Sequence, residues 1–163
     1  MTNKNIHIKV FLILILALAL VASSCGQEEE IDKIGAFSLV IDTLYEEDTG
    51  LNANIKYIAL DTSLISNLNK DEKAELLKDV EKYGYTVLDI TYEELKDEGY
   101  IKDLYFEEGI LFRIEDEPIQ NNSITMNVSK WRSGLGAIGY DEIIVKYTNG
   151  NWSIDKKGTG WIS

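Results

Sequence analysis

One cysteine, one histidine, one proline and two arginines are the whole supply of those residues in this chain of 163. Cys25 and His7 both fall within the first 25 positions. Beyond Cys25 there is neither thiol nor imidazole, which excludes a disulfide framework, a Cys/His nucleophile, a Ser-His-Asp triad and any zinc site built on Cys or His. No D-x-[DN]-x-[DN]-G calcium loop occurs, so neither a metal nor a cofactor is expected. The lone Pro118 leaves no proline-rich linker, and there is no internal repeat.

Positive charge is also scarce. Residues 1–24 carry two of the 16 basic residues and none of the 28 acidic ones, so the remainder has a net charge of 14 minus 28, or −14. A surface that acidic argues against nucleic acid and against electrostatic attachment to anionic lipid.

What the chain does have begins at its N-terminus. Lys4 and Lys9 form a basic head, Val10 to Val21 is an unbroken apolar run, and Ala22, Ser23 and Ser24 lead into Cys25. That order predicts a secretory signal over 1–24, and the run is well short of the roughly 20 residues a spanning helix needs. The segment resembles the signals of bacterial lipoproteins, in which small residues precede a cysteine directly; Ala22 stands where that class usually carries leucine. The resemblance implies a diacylglyceryl group on the Cys25 thiol, cleavage between Ser24 and Cys25, and a lipid-anchored protein on the outer face of the bacterial cytoplasmic membrane. Two or more acyl chains hold a protein stably where one is marginal.

Residues 25–33 read as the acylated cysteine plus a charged tether, and 34–163 as a single α+β domain of modest core. Ile34, Phe37, Val40, Ile41, Leu44 and Tyr45 repeat at helical spacing. NIKYIAL, 54–60, predicts a central strand; Asn69 with Glu72 opens a second helix that ends at Gly84. YTVLDI, 85–90, predicts a strand parallel to the first, and Thr91 with Glu94 opens a short third helix. From Gly109 the period becomes two, and GILFRIE, SITMNVSKW, YDEIIVKYT and NWSID predict an antiparallel meander of about four strands, with Asn149-Gly150 as a hairpin turn. The expected whole is a mixed sheet with two longer helices and one short helix on one face.

Three features invite a function. Gly134, Gly136 and Gly139 spell G-x-G-x-x-G, but a dinucleotide turn needs a following helix, and only 24 residues remain after Gly139. The glycines are instead expected to supply positive φ or bulges at a hairpin corner. Beside them Lys130, Trp131 and Arg132 gather basic and aromatic groups on an acidic chain, and are the candidate binding residues for a carboxylate or phosphate on a partner. The plainer alternative is that the two cations pair internally with the surplus carboxylates. Second, Asp61 and Asp89 end two predicted parallel strands, where open sheets tend to bind ligands; a carboxylate pair there could act as the acid and base of a hydrolase on wall material. Ordinary turn and cap chemistry at both acids is the competing reading. Third, Trp131, Trp152 and Trp161 all lie in the meander, as sugar or peptide platforms or as core.

The runs YIALDTSLISNLNKDEKAELL, DITYEEL, GILFRIE, KWRSGLGAIG and NGNWSIDKKGTGWIS are similar to a family of small, uncharacterised lipoproteins of Gram-positive bacteria, over about 34–163. Members are sometimes labelled as substrate-binding proteins of peptide transporters, which close two domains round a ligand where this length makes one. The resemblance carries over no catalytic residue. The leading expectation is a non-enzymatic lipoprotein that binds an envelope protein, a peptide or a wall component.

Overall fold

A computed structural model describes residues 31–163, which form one compact unit from Ile31 to Ser163; the signal expected over 1–24 and Cys25 lie outside the described residues. The first helix, α1 (Lys33–Glu46), starts where Asp32 accepts from the Gly35 N–H at 3.0 Å, and buries Ala36, Phe37, Val40, Ile41 and Leu44. A 3-10 turn (Thr49–Asn52) leads to β1 (Tyr57–Asp61). The expected capping box is present on α2 (Lys70–Val80): the Asn69 side chain accepts from the Asp71 and Glu72 N–H groups while Glu72 accepts from the Asn69 N–H. After β2 (Thr86–Asp89), Thr91 and Glu94 form the second box on the short α3 (Tyr92–Asp97).

The meander has five strands rather than four: β3 (Gly109–Asp116), β4 (Ser123–Ser133), β5 (Gly136–Thr148), β6 (Asn151–Lys156) and β7 (Thr159–Ile162). The sheet runs in the order β2-β1-β3-β4-β5-β6, with β1 parallel to both β2 and β3 and all later pairings antiparallel. This is an α+β fold on a mixed sheet. The two halves of β5 take different partners along one edge, its C-terminal half pairing with β6 and its N-terminal half with β7. Lys157 and Gly158 therefore interrupt what is in effect one long edge strand. At Asn149 and Gly150, φ values of 53° and 81° make the β5–β6 hairpin turn that the dipeptide predicts.

The helices do not share one face, and here the sequence expectation needs correcting. Ile58 and Leu60 of β1 lie in the main core with α1 and α2, while the intervening Ala59 lies in a second, smaller cluster with Leu95 of α3, Phe106 and Leu111. Successive strand residues point to opposite faces, so α3 covers the other side of the sheet. The near-continuous apolar run of the central strand is what allows both sides to be covered.

Candidate functional site

The glycine corner is a tight antiparallel hairpin. Gly134 and Leu135 form the turn between β4 and β5, and the register slips once between Trp131 and Ser133. None of Gly134, Gly136 and Gly139 has a positive φ, so left-handed backbone is not what selects them. Gly139 is a seat: a Cβ there would lie 2.4 Å from the Trp161 ring and 2.5 Å from the Val128 carbonyl oxygen. Its missing side chain lets the indole of β7 lie directly on the sheet.

Lys130 and Arg132 do not form a contact surface. Lys130 is wholly buried, and its Nζ donates to the carbonyl oxygens of Glu47, of Asp48 (3.2 Å) and of Tyr45 (3.4 Å), and to Asn52 Oδ1 (3.2 Å). These oxygens include the unpaired carbonyls at the C-terminal end of α1, where the helix dipole is negative. Burial pushes the Lys130 ammonium down to about 8, against the pull of Asp48, Glu47 and Glu46. Arg132 reaches the same segment and a neighbouring loop, donating from Nη1 to the Leu51 and Ala53 carbonyls (2.9 and 2.8 Å) and from Nη2 to the Glu107 carbonyl (2.7 Å). Both cations are thus directed at backbone carbonyls and, for Lys130, one amide oxygen, rather than at carboxylates. Trp131, on the opposite face, is half-buried in the second cluster and meets Tyr92 edge-on at 5.1 Å.

Asp61 and Asp89 end adjacent parallel strands as expected, but they do not converge. Asp89 pairs in register with Leu60 and shares its face, whereas Asp61, one residue on, points to the other. Each acid is occupied locally: Asp61 Oδ1 accepts from the Ser63 N–H (3.0 Å) and hydroxyl (2.5 Å), and Asp89 Oδ1 accepts from the Thr62 hydroxyl (2.8 Å). This is turn chemistry. Among the described residues no group of three or more acidic, histidine or cysteine side chains is placed to hold a metal ion.

What the corner does carry is apolar. The large hydrophobic side chains exposed among the described residues are Leu104, Tyr105, Leu135, Trp161 and Ile162, with Leu135 at 91% and Ile162 at 81% exposure. All five gather at the hairpin end of the sheet. The Gly134 N–H donates to the Leu104 carbonyl (3.0 Å), Tyr105 bridges to Ser133, and Trp161 and Ile162 pair with Gly139 and Ile138. A slot of about 470 Å³ opens beside them, lined by Ile138, Tyr140, Gly160, Trp161 and Ile162 and walled by Glu47 and Asp48.

Glu47 is held in that wall. The Tyr140 hydroxyl donates to its Oε2 at 2.6 Å, and Lys157 donates to its Oε1 while lying 5.0 Å from the Tyr140 ring centre. Burial alone would raise the Glu47 carboxyl, but the hydrogen bonds from Lys157 and Tyr140 outweigh it and hold it below its ordinary range. The slot therefore has an apolar floor, and the Glu47 carboxylate in its wall is ionised at neutral pH. Sequence reasoning missed β7 and with it the slot, because the four residues of β7 are all exposed and carry no alternation signal.

No family model matches this chain, and no curated protein or solved structure matches it significantly.

Proposed function

We propose that the protein is a non-enzymatic, lipid-anchored binding domain, held through Cys25 at the outer face of a bacterial cytoplasmic membrane, whose hairpin end docks on another protein of the envelope. The lipoprotein-like order of residues 1–25 supports the anchor. One observation carries the docking: five large apolar side chains stay exposed at the hairpin end of a strongly acidic chain, with Ile162 beside an apolar slot. Soluble domains rarely leave such a cluster uncovered unless something binds there. The acidic wall of Glu47 and Asp48 favours a partner with an apolar centre and a basic rim. The hydrolase reading has no such support, since Asp61 and Asp89 face opposite sides of the sheet.

Both halves are testable in cells. A photo-reactive residue at position 135 is expected to give a discrete cross-linked adduct in intact membranes, and one at the exposed Lys78 of α2 is not. Equal yields from the two positions would remove the docking. Cys25→Ala is expected to release the protein from the membrane fraction, and unchanged attachment would remove the anchor.

A further inference from the structure

Edge strands are normally protected, and the two halves of this edge differ in that respect. β6 ends in Asp155 and Lys156, and Lys157 and Gly158 break the ladder after it, which are ordinary safeguards against a chain pairing there. β7 has no charged residue: it reads Thr159, Gly160, Trp161, Ile162. Among the described strands it pairs only with β5.

The hydrogen-bond phase of β7 says which groups are free. The Ser163 N–H donates to the Ala137 carbonyl at 3.0 Å and the Ala137 N–H returns to the Ser163 carbonyl at 3.5 Å, so these two residues form a bonded pair. Antiparallel ladders alternate, which puts Trp161 with Gly139 and Thr159 with Asp141 in the next bonded pairs. Gly160 and Ile162 then aim their N–H and C=O groups outward. Side chains alternate in the same phase: Ile162 lies beside Ile138 over the slot, and Trp161 lies on the far face against Gly139.

We infer that β7 is a landing edge for strand addition: an extended segment of the partner, alternating apolar and basic residues, pairs with Gly160 and Ile162 and sets its apolar side chains in the slot beside Ile138 and Ile162. Main-chain pairing supplies the affinity in this mode, and pockets for alternate side chains supply the selectivity. Alternation sends the segment's basic side chains to the opposite face, where Asp141 pairs with Thr159 and lines a cleft with Glu115, Glu117 and Glu142, and the acidity of the chain disfavours a second copy of itself as occupant. The inference rests on the docking reading and specifies how that docking is made.

The test uses protein isolated from membranes of expressing cells and reconstituted in phosphatidylcholine nanodiscs. The probe is a peptide of about eight residues that alternates valine and lysine, made unmodified and as two isomers N-methylated either on every valine or on every lysine. N–H groups alternate sides along a strand, so only one isomer leaves the protein-facing donors intact. The unmodified peptide is expected to bind and to slow hydrogen exchange across 159–162. One isomer should lose about tenfold or more in affinity while the other stays within about threefold. Equal affinity of the two isomers would overturn strand addition, and so would no binding and no protection with the unmodified peptide. Protection of 159–162 that grows with protein concentration alone would replace the partner with a second copy, and protection that needs only anionic lipid in the nanodisc would replace it with the membrane. A chain that still cross-links from position 135 but treats the isomers alike keeps the docking and loses the strand.

Discussion

Two neighbouring regions at the end of β4 answer the same question in opposite ways. The Lys130 seat is buried, charged and fully occupied: four oxygens of the α1 end and the following turn converge on one ammonium. A few residues on, the tip around Leu135 and Ile162 is exposed, apolar and covered by nothing in the described chain. Basic residues are conspicuous on an acidic chain, and that made Lys130 and Arg132 look like a ligand site. Their scarcity has another cause. A helix whose C-terminal carbonyls turn inward needs a donor that can reach several of them at once, and a lysine or arginine stem does so while burying its own methylenes. The apolar tip is inconspicuous in sequence because leucine and isoleucine are what a core also uses.

The contrast can be broken most severely at the seat. Lys130→Met keeps much of the volume but takes the donor from the Glu47 carbonyl and Asn52 Oδ1, while the Tyr45 and Asp48 carbonyls keep the Asn52 amide and the Leu51 N–H, and is expected to lower the unfolding free energy by about 3 kcal/mol in denaturant titration. A loss within a few tenths of a kcal/mol would mean that the oxygens find other partners and that the lysine is not the staple. Gly139→Ala comes next, at about 2 kcal/mol, because the new methyl meets both the Trp161 ring and the Val128 carbonyl. Increased solvent exposure of Trp161 fluorescence should accompany that loss.

The seat also predicts a pH signature. With Lys130 lowered to about 8 from an ordinary 10.5, the unfolded chain binds a proton between those values that the folded chain has released. Stability conferred through this group therefore rises with pH across that window. Above pH 10 the sign reverses at two tyrosines. Burial, with hydrogen bonding to Tyr85, pushes Tyr45 up to about 12, and burial, with hydrogen bonding to Asp42, raises Tyr83 further. The fold then keeps protons that the unfolded chain releases, and stability falls. Subtracting the profile of Lys130→Met from that of the natural sequence isolates the rise between pH 8 and 10; a flat difference would contradict the buried ammonium.

Smaller effects belong to groups that serve only local turns. Asp61→Asn and Asp89→Asn are each expected to cost less than about 1 kcal/mol, because asparagine keeps an Oδ1 that accepts the same turn hydrogen bonds and only the acceptor's charge is lost. Smallest of all is Leu135→Ser, expected within about 0.5 kcal/mol of the natural sequence because the side chain touches little in the free protein. That substitution sharpens the comparison, since the same change should abolish the adduct formed at the tip.

Much of the fold was legible because local chemistry and burial agreed. Both capping boxes, the parallel pair of strands, the Asn149-Gly150 turn and the shift from period 3.6 to period two at Gly109 all appear where the residues place them. The side of the sheet taken by α3 was not legible, because a six-residue helix has too few residues to show which strand face it covers. β7 escaped for a related reason: it is held by backbone pairing to β5 and by one indole on one glycine, neither of which leaves a periodic trace. The candidate site divided along the same line. The sequence reading singled out the corner around 129–142 through Lys130 and Arg132, of which Lys130 is buried, since charge is visible in a sequence and exposure is not.

The most direct test places a photo-reactive residue at position 162 and compares adduct yield in intact membranes between the natural sequence and its Leu135→Ser variant, with unfolding midpoints measured in parallel. The account expects the adduct to disappear while the midpoint stays unchanged. An undiminished adduct in a variant of unchanged stability would contradict it, and the apolar tip would then not be the surface through which this protein meets its partner.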